Sequence, residues 1–271
     1  WFDRGFGIAL GLALTGASVG GALLPPIIVQ NSTSHGFDET MFAIGSSVLA
    51  IMAIAVLVLA LIGRPRLSGR TDTIAEPYSM RVVIGQLRFW AIAIPTAFGL
   101  GGQVGFLAHQ VPLIAAQTDQ VTAALMVTVV AIASAIGRLL VGLMSRTISV
   151  TVLAAVTYLV HGAGIGLLAL APSAAWIVAG CAVSGLTVGA IVMLPPLIVR
   201  HVYGTVGFGR TYALVNVVMY VLAGLSPWFV GLLRDGLGDY TLGLWLLVAM
   251  EAFAAICVLA GLRRYHASQG S

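Results

Sequence analysis

The sequence predicts an all-α polytopic membrane protein, and three observations carry that prediction. Hydrophobic residues make up 59% of the chain and charged residues only 8%, with a mean hydropathy of +1.05, whereas a soluble domain carries about a quarter charged residues. The apolar residues come in unbroken runs of about 20, the length of a helix across a bilayer, not in the alternating segments of about 10 that build a barrel. Short polar connections rich in arginine separate these runs. Helices are selected because each one satisfies its own backbone hydrogen bonds in lipid.

Eight spans follow in order: roughly 6–30, 41–62, 89–116, 121–143, 149–171, 174–199, 211–233 and 241–262. The first follows Arg4 and contains the pair Pro25–Pro26, and the second lies between Glu39 and Arg64. The exception to short connections is 63–88, GRPRLSGRTDTIAEPYSMRVVIGQLR, which holds Arg64, Arg66, Arg70, Arg81 and Arg88 and reads as a solvated linker. The third span follows Arg88, and the fourth lies between Asp119 and Arg146. The fifth and sixth occupy the stretch before Arg200, the seventh lies between Arg210 and Arg234, and the eighth between Asp239 and Arg263. The proline pairs 25–26 and 195–196 are expected to break helix ends, and Pro95, Pro112 and Pro227 to kink helices.

Cytoplasmic loops are enriched in basic residues, so the arginines set the orientation. With Arg4 inside, alternation places twelve of the thirteen arginines inside and only Arg234 outside, while Asp38, Glu39, Asp119, Asp235 and Asp239 fall outside. The formal charge of +4 is therefore a topology signal, and no nucleic-acid partner is expected. All thirteen basic residues are Arg and none is Lys, a bias that points to a GC-rich bacterial genome. Cys181 and Cys257 lie inside apolar runs as core filler, without disulfide or metal spacing. No nucleotide loop, metal cluster or nucleophile triad is visible, so neither a cofactor nor an enzymatic activity is expected.

An internal echo organises the spans. Adding 202 carries Gly5, Phe6, Gly7, Leu12, Leu23 and Pro25 onto Gly207, Phe208, Gly209, Leu214, Leu225 and Pro227. The next pair agrees with slips of a residue or two: Asp38 and Thr40 match Asp239 and Thr241, and Leu59, Ala60 and Arg64 match Leu259, Ala260 and Arg264. Spans one and seven run the same way through the membrane, as a parallel repeat requires. A rival match, LPPIIV at 24–29 with LPPLIV at 194–199, joins spans of opposite direction and reads as local recurrence. Two six-span repeats, of which the first is represented by its last two spans, imply a twelve-helix parent, and the start at Trp1 agrees with four absent helices.

With these features in view, the chain resembles a major facilitator superfamily transporter along its whole length, as helices five to twelve. WFDRGFGIALGLALTGASVGG resembles the entry to helix five in the monocarboxylate-porter and oxalate/formate-exchanger branches. GRLLVGLMSR at 137–146 resembles the loop after helix eight, and GFGRTY with GLSPWFVGLLRDGLGDY resembles helix eleven and the turn beyond. Ser145 stands where the loop motif usually has Asp, and Ser134 where the porters carry an acid four residues before the arginine. The exchangers' helix-eleven lysine has no counterpart in a chain without Lys. The resemblance therefore brings over neither proton coupling through that acid nor oxalate recognition. It implies 1–62 as the end of an N-terminal bundle, 63–88 as a cytoplasmic linker, 89–264 as a six-helix C-terminal bundle and 265–271 as a tail, in an inner membrane with both ends cytoplasmic.

Polar side chains inside the spans are the candidates for function, because a charge at a helix centre costs about 2.5 to 3.5 kcal/mol unless a partner or a watery cavity receives it. Tyr212, Asn216 and Tyr220 form one stripe, continued by Gly224, that faces a neighbouring helix or a central cavity. Arg138 lies about 25 Å along its span at about 1.5 Å per residue, where it could snorkel or serve a gate. By resemblance to the porter arginine followed by a glycine, here Gly142, it could instead pair with a substrate carboxylate. Gly137, Arg138, Gly142 and Arg146 make up the candidate gating loop. His109 shares a face with Gly102, Gly105, Phe106 and Pro112, and is a packing histidine or a substrate or proton site, with Gln103 and Gln110 as companions. His161, with Tyr158 one turn back, reads as structural. Glu251, at the midpoint of the last span and without a visible partner, is a proton-coupling candidate or a structural, lipid-facing acid.

The expectation for function is secondary transport of a small organic anion such as a monocarboxylate by alternating access, with protons as a candidate coupling ion. Export of a neutral or amphipathic compound is the alternative within transport, and a non-transporting membrane scaffold or sensor the alternative outside it. The partners implied are the substrate, the lipid bilayer and the N-terminal helices of the same chain.

Overall fold

The computed structural model describes residues 6–62, 79–171, 173–205 and 207–269, and among them it is helical nearly throughout, without a strand. Nine helices are described: α1 (Phe6–His35), α2 (Phe37–Ile62), α3 (Met80–Ile84), α4 (Leu87–Ala115), α5 (Gln120–Met144), α6 (Val150–Ala169), α7 (Ala174–Tyr203), α8 (Phe208–Leu237) and α9 (Thr241–Gln269). Seven of them, α2 and α4 to α9, are long and apolar enough to cross a membrane. The fold is all-α and polytopic, and α1 falls on the remaining expected span. Arg4, Arg64, Arg66 and Arg70 lie outside the described residues; the described end of the expected linker contains α3 and the first two residues of α4.

The proline pairs correct an expectation. Positions 25–26 lie within α1, and Pro195 and Pro196 lie inside α7, as Pro95 and Pro112 do in α4 and Pro227 in α8. A proline removes one N–H from the ladder, but packed neighbours in a membrane bundle can take up the freed carbonyl, so it need not end the helix.

The chain divides into two compact units, Trp1–Val19 with Pro77–Ser271, and Gly20–Glu76. In the smaller unit, Gly36 (φ +86°) turns α1 into α2, a left-handed conformation for which glycine carries no Cβ penalty. Thr40 secures the turn by donating to the Gly36 carbonyl at 2.8 Å.

In the larger unit the helices pair as α4 with α8 and α9, α7 with α5 and α6, and α6 with α9. Two large apolar clusters fill it, with a small third one at Val141, Leu153 and Ala190. One gathers Phe89, Ile92, Tyr158, Ile191, Val215 and Leu262, and the other Phe106, Val130, Ile165, Ile177, Val230 and Leu247. At the base of α4, Arg88 lies over the Tyr203 ring at 4.5 Å, and both side chains donate to the Gln86 amide oxygen. Close helix approach rests on glycines. A Cβ on Gly137 would stand 1.6 Å from the Leu186 carbonyl oxygen, and one on Gly164 2.4 Å from the Ser184 nitrogen, which binds α7 tightly to α5 and to α6.

Candidate functional site

Arg138 is 5% exposed on α5, so it does not snorkel to water. Its Nε donates to the Gly189 carbonyl of α7 at 3.4 Å, and Nη1 donates to the Leu14 carbonyl of α1. Glycine at 189 is what admits it, because a Cβ there would stand 2.5 Å from the arginine's own Cγ. Gly11 of α1 closes from the other side, its Cβ position 3.4 Å from the Arg138 carbonyl. No carboxylate faces this guanidinium among the described residues, and two of its five N–H donors are engaged. Of the candidate gating loop, Gly137, Arg138 and Gly142 are buried within α5 itself, and only the exposed Arg146 lies beyond its end. The motif is therefore mostly helix, with the turn starting at Ser145.

His109 is half-buried on α4, with Nε2 2.9 Å from the Pro227 carbonyl of α8 and its ring 5.5 Å from Tyr240. Gln103 and Gln110 are buried on the same helix, and among the described residues one amide atom of each, Oε1 of Gln103 and Nε2 of Gln110, has no hydrogen-bond partner.

The α8 stripe lies between the buried row Thr211, Val215, Met219 and Ala223 and the exposed row at Val217 and Val221. Tyr212 is half-buried and stacks on Phe208, and Asn216 donates to the Tyr212 carbonyl at 2.9 Å. Tyr220 is 65% exposed. Among the described residues no hydrogen bond or ring contact links Arg138, His109 and this stripe.

The structure does bring together two residues that sequence reasoning had kept apart. Glu251 is fully buried on α9, and its Oε1 faces Nε2 of the equally buried His161 on α6 at 3.7 Å. Glu251 is thus neither isolated nor turned to lipid. Gly102 on α4 makes the space, since a Cβ there would stand 2.4 Å from Oε1. His161 is held from behind by α7, where Nδ1 lies 2.8 Å from the Thr187 hydroxyl and 3.2 Å from the Ser184 carbonyl. Polar residues at mid-span on both helices were the available signal; their pairing was not readable from spacing. Among the described residues no three His, Cys, Asp or Glu side chains converge as metal ligands.

The arrangement is a set of cross-helix polar contacts inside a membrane bundle, with a buried cation on one flank and a buried acid–imidazole pair in the interior. Comparison with curated proteins gives no match. A family model described as Major Facilitator Superfamily matches residues 1–227 of the 271. The chain belongs to the Major Facilitator Superfamily of membrane transporters.

Proposed function

We propose that the chain is part of a secondary transporter that moves a small organic anion, such as a monocarboxylate, by alternating access across a bacterial inner membrane. The observation that supports this reading is Arg138, a permanent cation buried in α5 that among the described residues faces no carboxylate and has N–H donors to spare. A guanidinium fork suits a carboxylate, and a substrate anion would supply the compensating charge. Tyr212, Asn216 and Tyr220 would then present hydroxyls and an amide along α8, with His109 as a further polar group.

A second reading has its own support. The guanidinium already bridges α7 and α1 through backbone carbonyls, which is the work of a latch, and a latch leaves the substrate neutral or amphipathic. Uptake of labelled monocarboxylates into vesicles separates the two. A hydrogen bond to a charged group contributes about 1.5 to 3 kcal/mol, so under the anion reading Arg138→Gln raises KM about tenfold to a hundredfold and Arg138→Lys restores part of the loss. Unchanged KM with a slower maximal rate selects the latch. Absence of transport of any solute by the chain supports the scaffold or sensor reading.

A further inference from the structure

Glu251 and His161 lie where the two large apolar clusters meet. Along α9 the clusters change over between Met250 and Ala254, along α6 between Tyr158 and Ile165, and along α4 between Leu100 and Phe106, so Glu251, His161 and Gly102 share one level of the bundle. Both side chains are 0% exposed, and among the described residues neither the carboxylate oxygens nor the imidazole Nε2 has a hydrogen-bond partner.

The hydrogen bonding behind the imidazole fixes where its proton sits. The Ser184 carbonyl can only accept, and the Thr187 hydroxyl donates its hydrogen to that same carbonyl at 2.6 Å. Both neighbours of Nδ1 are therefore acceptors, so Nδ1 carries the N–H and the neutral ring presents a lone pair at Nε2. A carboxylate facing that lone pair would be a buried charge without compensation, which is strongly disfavoured. One proton between Oε1 and Nε2 resolves the conflict, and the 3.7 Å gap needs to close by only roughly 0.8 Å for a normal hydrogen bond. Among the described residues no hydrogen bond from another group compensates that charge. The Tyr158 hydroxyl of α6 is a buried neighbour of the carboxylate, α4 presents Gly102 there and the edge of Phe106 to the imidazole, and α7 presents Ser184 and Thr187. From α8, α9 and the rest of the described residues no further charged side chain acts on the pair.

We propose that His161 and Glu251 form a buried proton-binding site, which holds one proton on the Glu251 carboxyl with Nε2 of His161 as its acceptor. Release of that proton leaves a bare carboxylate between α6 and α9 and drives the two helices apart. The signal has a short route outward. Thr187 and Ser184, which hold the imidazole, lie on the stretch of α7 that ends at Gly189, whose carbonyl holds Arg138. The use of this site to couple protons to transport rests on the reading under Proposed function; the proton site itself does not.

Infrared spectroscopy of the whole chain in lipid nanodiscs, with glutamate carboxyls labelled by carbon-13, tests it. The sequence has three glutamates, Glu39, Glu76 and Glu251, so Glu39→Gln with Glu76→Gln leaves Glu251 as the single labelled carboxyl while sparing the bundle interior. The expected spectrum at neutral pH has one isotope-shifted band of a protonated acid, lost in Glu251→Gln and moved in frequency in His161→Phe. A labelled Glu251 with only carboxylate bands at neutral pH overturns the proposal, and so does a protonated band that His161→Phe leaves in place. The two readings fail separately: the band without carboxylate uptake removes the organic-anion reading and keeps the proton site, and uptake without the band does the reverse.

Discussion

At Gly137 an added Cβ would overlap the Leu186 carbonyl oxygen at 1.6 Å, while at Gly224 on α8 nothing lies within 4 Å. Both glycines sit inside helices, so propensity treats them alike and favours alanine by roughly 1 kcal/mol. Packing separates them. The clash at Gly137 is with backbone, which no side-chain rotation relieves, and overpacking of this kind costs typically 1–3 kcal/mol or more. Thermal unfolding in a mild detergent should therefore show Gly137→Ala lowered clearly and Gly224→Ala unchanged or raised; equal melting temperatures would contradict the α5–α7 contact. At this scale the sequence carried residue types but not partners. Arg138 was recognisable as a charge deep in a span, yet its acceptors are main-chain carbonyls of Gly189 and Leu14, which leave no mark in side-chain identity. Glu251 and His161 meet across two helices that are far apart in the chain, so no spacing rule could join them.

Among the elements, α5 shows why span boundaries were readable. Its start is fixed chemically by Asp119, whose Oδ1 accepts from the Thr122 N–H at 2.9 Å and whose Oδ2 accepts from the Thr122 hydroxyl at 2.7 Å. The backbone hydrogen bond from Thr122, followed by the hydroxyl, holds the Asp119 carboxyl below the usual carboxylate range. The sign follows from linkage: a depressed folded-state value gives stability that is present above the unfolded value and is lost as pH falls through the folded one. Asp119→Asn retains an oxygen for the cap and should flatten the acid limb of a stability–pH profile, whereas Asp119→Ala should lower stability at neutral pH and also flatten that limb. Melting temperatures measured from neutral pH down into the acid range check both. Proline was the less readable punctuation. In water Pro195–Pro196 would mark an end, but α7 packs between α5 and α6 and passes through the pair.

For the molecule as a whole, length and composition were enough to read an all-α polytopic fold, because lipid leaves helices as the way to satisfy the backbone. Which helices pair was not readable, since nearly every span is apolar around its circumference and the choice is made by glycine-sized gaps such as Gly137 and Gly164. Orientation rests on the arginines, and α5 offers the sharpest test of it. Its 25 residues extend about 37 Å at about 1.5 Å per residue, more than the roughly 30 Å of hydrocarbon, so Asp119 and Arg146 should reach water on opposite sides. Cys181 and Cys257 lie within α7 and α9, and replacing both with alanine removes the background. In intact cells a membrane-impermeant thiol reagent should then label Asp119→Cys, while Arg146→Cys should react only after permeabilisation. Labelling of Arg146→Cys alone would invert the orientation, and labelling of both would mean that the arginine asymmetry does not set a single topology.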